Sequence, residues 1–189
     1  MSKIEDFIIE NNVLVKYVGK EEDVVIPDGV ISVGKEAFSK SKIISVILPD
    51  SITTIEGDAF SWCSSLINVV MSNNVNKIGN YAFLFCRALT TINLSKNLTK
   101  IGSDVFFGCE SLNNIVIPKS VTIIGRRVFE ESAIKTITFE DYDNWYRTWN
   151  YSMWVNQTYG TKTDLSDPNK NAELFNFDKK EFYWFKKQF

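Results

Sequence analysis

The side chains best suited to chemistry in this sequence are three cysteines, Cys63, Cys86 and Cys109, set 23 residues apart. A thiolate can serve as a nucleophile, a metal ligand or half of a disulfide. The rest of the composition narrows those options. The chain has no histidine, which removes Ser-His-Asp and Cys-His catalysis, His-bearing zinc sites and imidazole pH switches. Three thiolates without a fourth ligand make a poor zinc site. An odd, small cysteine count argues against a secreted disulfide framework. If the three positions are stacked equivalents, their Cα atoms lie roughly 5 Å apart, within disulfide range, but in-register side chains point the same way. They therefore read as a ladder of buried thiols acting as small apolar residues.

The remaining candidates for chemistry are weaker. Glu21-Glu22-Asp23, Glu130-Glu131 and Glu140-Asp141 read as solvated edges of turns. Asp141 and Asp143 do not extend into a calcium loop, because the later ligands and the required glycine are missing. Two carboxylates can run glycoside hydrolysis without histidine, but nothing places a pair across a cleft. The nine glycines are spread at repeat spacing rather than gathered into a phosphate-binding loop. The sequence thus reads as non-catalytic, with no cofactor and no metal.

Composition sets the class of molecule. At 189 residues, 44% hydrophobic and 23% charged, the chain suits one ordinary folded domain. A net charge of −2 and only the Lys179-Lys180 and Lys186-Lys187 pairs leave no nucleic-acid footprint and no polybasic membrane anchor. No stretch approaches a transmembrane helix. The start, Met1-Ser2-Lys3-Ile4-Glu5-Asp6, is not a signal peptide. As written the chain reads as cytoplasmic, or as a cell-surface or secreted protein if a leader has been processed away. Asn93-Leu94-Ser95, Asn97-Leu98-Thr99, Asn150-Tyr151-Ser152 and Asn156-Gln157-Thr158 match the N-glycosylation pattern, which matters only on a eukaryotic secretory route.

What positions the cysteines is a repeat. Phe38, Phe60, Phe83, Phe106 and Phe129 recur at spacings of 22, 23, 23 and 23 residues. Each cysteine sits three residues after one of these phenylalanines, and Leu66, Leu89 and Leu112 sit three residues after each cysteine. Val33-Gly34, Ile78-Gly79, Ile101-Gly102 and Ile124-Gly125 repeat in phase, while the second unit departs with Ile55-Glu56-Gly57. Within a unit, Ile115 and Ile117 alternate with other residues, as in a strand with one buried face, and Pro118 ends it. Val121 and Ile124 form a second apolar edge, Gly125 is read as a tight turn, and Val128-Phe129 as one helical turn driving its ring inward. One such unit cannot bury its own apolar face, but stacked units can, so the fold class is a repeat solenoid.

The succession of strand, Pro, aliphatic, Ile-Gly, aromatic and Cys over residues 24–140 resembles the BspA-like type of leucine-rich repeat. The resemblance implies a parallel β-sheet on the concave face, with short turns or 3-10 segments on the convex side. It also implies a surface, adhesive or secreted binding protein of bacterial type. Residues 1–23 read as an N-terminal cap, with Phe7-Ile8-Ile9 and Val13-Leu14-Val15 as a hairpin. Residues 141–189 read as an aromatic C-terminal cap. There Asp143 is expected to start a short helix carrying Trp145, Tyr146 and Trp149. Residues 166–171 read as a loop. Phe182-Tyr183-Trp184-Phe185 reads as a strand packing back on the cap.

If the repeat geometry holds, two rows of side chains face outward from the concave sheet. One is Asp23, Ser45, Asn68, Thr91, Asn114 and Thr136; the other is Val25, Ile47, Val70, Asn93, Val116 and Thr138. β-Branched residues suit any exposed strand, and small polar residues can form ladders among themselves. The same rows also make a partly apolar stripe edged by small polar groups, which suits a protein partner. On that reading the contact residues are Ile47, Val70, Asn93 and Val116, with Asn68, Thr91 and Asn114 beside them and Trp149 and Trp154 in second line. Two alternatives stand beside it: a surface adhesin or glycan-binding protein using the C-terminal aromatics, and an intracellular inhibitor or assembly factor. Trp62 stands alone inside the repeats and is expected to be partly exposed on the convex side.

Overall fold

In a computed structural model, which describes residues 2–143, 145–148, 161–176 and 183–186, the chain winds into a β-solenoid of six turns. A hairpin, β1 (Phe7–Glu10) and β2 (Val13–Tyr17), opens it. Each turn then contributes two short strands. On one side stand β3 (Asp23–Val25), β5 (Ser45–Ile47), β7 (Asn68–Val70), β9 (Thr91–Ile92), β11 (Asn114–Ile117) and β13 (Thr136–Phe139). Between them in sequence lie β4 (Ser32–Val33), β6 (Thr54–Ile55), β8 (Lys77–Ile78), β10 (Lys100–Ile101) and β12 (Ile123–Ile124). Strands β3 to β13 of the odd-numbered set form the concave face, parallel and hydrogen-bonded as β3-β5-β7-β9 and β11-β13, with Val25 opposite Ile47 and Ile47 opposite Val70. The even-numbered set is the longer sheet. With the hairpin strands β1 and β2 at one end and β14 (Trp145–Thr148), β15 (Thr161–Lys162) and β16 (Tyr183–Lys186) at the other, it reaches ten strands.

The core is a set of stacked columns. Phe38, Phe60, Phe83, Phe106 and Phe129 stack nearly parallel, with neighbouring ring centroids 4.9, 5.1, 5.6 and 5.6 Å apart. All five are buried. Burying each ring contributes roughly 1.5–3 kcal/mol, and the ring–ring contact adds about 0.5–1.5 kcal/mol. Tyr17, from the hairpin, stacks on Phe38 at 5.1 Å and so begins the column one turn before the first phenylalanine. At the other end Phe129 meets Phe175 edge-on at 5.8 Å, and Phe175 stacks on Trp184 at 4.3 Å.

Four sequence readings are corrected here. Trp145–Thr148 is a strand, not a helix: pairing with β16 forces a two-residue alternation that buries Trp145 against Phe139 at 5.1 Å. Residues 168–176 are helical, as α1 (Pro168–Asn176), which overlaps the loop expected over 166–171. Asp167 Oδ1 accepts from the backbone N–H groups of Asn169 and Lys170, and Pro168 takes the first helical position, where its missing N–H is not needed. The segment before each core phenylalanine is no helical turn. Glu36, Asp58, Tyr81, Asp104 and Arg127 all have positive φ, and alternate N–H groups there bond to the following unit, as Phe106 N–H does to the Val128 carbonyl at 2.9 Å. Finally, Gly125 makes no left-handed turn; a Cβ there would lie 2.4 Å from the backbone nitrogen of Ser103. The glycine column therefore allows close approach between units.

Edges of the concave sheet are covered by side chains. Ser2 Oγ accepts from the Val25 N–H at 3.3 Å and donates to the Asp23 carbonyl at 3.5 Å, bridging the open rim of β3. At the far end α1 lies against β13, and buried Asn171 Nδ2 donates to the carbonyls of Ile137 (2.9 Å) and Leu165 (2.8 Å).

Candidate functional site

The parallel register sets the candidate site by lining up every second side chain on the outer face of the concave sheet. Inward-facing Val24, Val46, Val69, Ile92, Ile115 and Ile137 are buried. Their neighbours face outward: Val25, Ile47, Val70 and Val116 are 43–50% exposed, far more than a core aliphatic residue. Asn93 and Thr138 continue that row and are exposed. Asn68, Thr91 and Asn114 are exposed in the neighbouring row. All seven sequence-read residues of the sheet thus share one face. Trp149 and Trp154 lie outside the described residues.

The two rows carry one charged residue, Asp23, at their N-terminal end. Its carboxylate accepts from the Ser45 hydroxyl, and Thr136 Oγ1 donates to Asn114 Oδ1 at 2.7 Å. The polar ladder therefore forms at both ends of the row. Among the described residues it does not form in the middle, where the side chains of Asn68, Thr91 and Asn93 make no hydrogen bond. A groove of roughly 410 Å³ opens there, lined by Thr91, Asn93, Asn114 and Val116 together with Lys96 and Glu140. Lys96 and Glu140 carry no repeat signal, so sequence reading had no means of finding them.

The titratable groups elsewhere are structural. Cys63, Cys86 and Cys109 are buried and free, and each Sγ donates to the carbonyl of a phenylalanine in the preceding unit, at 3.0, 3.1 and 3.3 Å. Burial pushes the Cys63 thiol up to about 11 and raises Cys86 and Cys109 as well. These are the inert thiols of a ladder, not nucleophiles. Asp104 is buried and pairs with Arg127 Nε at 2.8 Å; burial raises its pKa although the guanidinium opposes it. Among the described residues no group of three or more Cys, Asp or Glu could hold a metal, and no helix is long and apolar enough to cross a membrane. Trp145 and Trp184 are buried, which removes both from any exposed aromatic platform. Trp62 is 44% exposed and packs at a tilt against Phe85, ring centroids 4.3 Å apart.

A solenoid of in-register parallel strands with a phenylalanine column and one outward-facing sheet defines a leucine-rich-repeat scaffold. The chain belongs to the BspA-type leucine-rich repeat region family, whose pattern matches residues 7–135 in six copies. The leucine-rich repeat protein TpLRR of T. pallidum is 30% identical, with a TM-score of 0.69 over 72% of this chain and 70% of that one. A leucine-rich repeat protein from Bacteroides ovatus is 28% identical, with a TM-score of 0.60 over 73% of this chain and 38% of that one. The chain thus spans well under half of the Bacteroides protein. No curated protein matches it.

Proposed function

We propose that this solenoid is a non-catalytic binding module that recognises another protein through its concave sheet. One observation carries the reading: four aliphatic side chains, Val25, Ile47, Val70 and Val116, stand half-exposed in one row of the concave face, edged by polar groups of which only Asp23 is charged. Scattered exposed valines need no explanation, but three adjacent aliphatic residues, Val25, Ile47 and Val70, continued past Asn93 by Val116 and edged by polar groups, have the anatomy of a protein interface. Neighbouring strands hold the row in place, so little conformational entropy is lost on binding. The buried thiols and the paired Asp104 suit a scaffold better than a reaction centre.

The test is affinity capture from cell lysates, comparing wild type with an Ile47→Asp/Val70→Asp/Val116→Asp variant of unchanged circular dichroism. A protein retained by wild type and lost by the variant supports the reading. Identical captures would move the site off the concave sheet. A glycan-binding role for the concave face is favoured less, because neither outward row contains an aromatic ring on which a sugar could stack.

A further inference from the structure

The concave sheet is interrupted at one junction. Elsewhere the residue before each strand donates its N–H to the preceding unit: Ile44 to Glu22 (2.7 Å), Ile67 to Ile44 (2.8 Å), Thr90 to Ile67 (3.2 Å) and Lys135 to Asn113 (2.7 Å). The equivalent bond from Asn113 to Thr90 is missing. Among the described residues no backbone hydrogen bond joins β9 to β11, and the sheet divides there into four strands and two. β9 is only two residues long, and Asn93 leaves the ladder where Val25, Ile47 and Val70 stay in it. The groove lies over this junction.

We propose that the break between β9 and β11 is the seat of an uncharged, extended segment of the partner protein, held by its main chain. The proposal rests on the concave-sheet reading and adds the chemistry of the bound segment. Asn68, Thr91 and Asn93 have unused donors and acceptors, and Asn114 spends only its Oδ1. A carboxamide offers both an N–H and a C=O, as a peptide main chain requires in return. The open strand edges at Asn113 and Leu94 offer further backbone groups. Val116, 50% exposed, borders the break on β11, and Val70, 47% exposed, stands one strand beyond β9; the two give aliphatic side chains of the segment places to rest. Charge selects the segment: Lys96 and Glu140, one cation and one anion, balance in the lining of the groove, and no other charged residue lines it. A segment of net charge would therefore lose hydration with no excess of counter-charge in the groove to replace it. The groove volume of roughly 410 Å³ lies within the range of about 300–1,000 Å³ usual for ligand clefts.

The test has two parts. Amide hydrogen exchange on the free protein should find the Asn113 and Leu94 N–H groups exchanging at least about tenfold faster than those of Leu48 and Lys135, which are hydrogen-bonded to the next or preceding unit. Equal protection would mean a closed sheet and would overturn the proposal. Phage-displayed random peptides are then selected on wild type, and the winners are measured as synthetic peptides. Affinity should fall about tenfold or more on Asn93→Val and on N-methylation of a central peptide amide, and charged residues should be depleted from the winners. No enrichment over the Asn93→Val protein, or winners indifferent to N-methylation, would overturn it. A captured partner lost on Val70→Asp but unchanged on Asn93→Val would leave the concave sheet as the binding face and refute the extended segment alone.

Discussion

Replacing Gly102 with alanine should destabilise the solenoid although its backbone conformation is open to any residue. The glycine column sits where consecutive units come closest. A Cβ on Gly102 would lie 2.6 Å from both the backbone nitrogen and Oδ1 of Asn80 and 2.7 Å from the Gly79 carbonyl carbon. Two of these contacts are backbone atoms, which cannot swing aside, so the units must separate locally. Separation strains the bonds from Gly102 N–H to the Ile78 carbonyl (2.9 Å) and from Ser103 N–H to Asn80 Oδ1 (2.9 Å). Overpacking costs about 1–3 kcal/mol and each weakened hydrogen bond up to about 1 kcal/mol, against a gain of about 0.4–1 kcal/mol from a less flexible unfolded chain. The expected net loss is about 2–3 kcal/mol, read by urea denaturation followed by circular dichroism. Gly57→Ala is the control. Its Cβ would meet only the Asn80 carbonyl oxygen, at 3.3 Å, so its cost should stay below about 1 kcal/mol. If Gly102→Ala is as stable as wild type, or Gly57→Ala loses as much, close approach is not what the glycine column provides.

Three further outcomes follow from the core. At pH 8 the Cys63 thiol, with a pKa of about 11, is about one part in a thousand thiolate, so the native protein should resist thiol-specific labelling, gain reactivity about tenfold per pH unit towards pH 11, and label fully in denaturant. The folded-state pKa of Asp104 lies above its unfolded value, so its ionised form opposes folding above the folded pKa and that cost fades as pH falls. Asp104→Asn, which suits its positive φ, should flatten this part of the stability–pH curve. Asn171→Ala leaves the buried carbonyls of Ile137 and Leu165 without its amide, costing about 2–4 kcal/mol and exposing residues 161–176 to proteolysis before the repeats unfold.

The repeats were legible because stacking makes each unit solve the same packing problem. Phe38 to Phe129, the cysteines and the Ile-Gly pairs recur because each must fit its copy in the next turn, and the buried thiol ladder followed directly from that spacing. Outside the repeats there was no second copy to average over. Asp167-Pro168 is a helix-start signal, but among Ser, Asn and Asp it read equally as a turn. Trp145 and Trp149 are spaced for a helix face, yet pairing with β16, distant in sequence, makes a strand of residues 145–148. The role of Tyr17 as the first ring of the column was hidden because it is a tyrosine in the hairpin, 21 residues before Phe38 and so one short of the first repeat spacing. The outward rows could be named from alternation alone. The break between β9 and β11 could not, because it depends on hydrogen bonds across turns that leave no mark in residue type.

The most direct measurement is amide hydrogen exchange of the wild-type protein with and without the partner recovered by affinity capture. Binding through the concave sheet predicts slowed exchange confined to residues 45–47, 68–70, 91–94 and 114–116, with the even-numbered strands β4 to β12 unchanged. Slowing in those even-numbered strands or around Trp62 and Phe85, with the concave sheet unaffected, would contradict it.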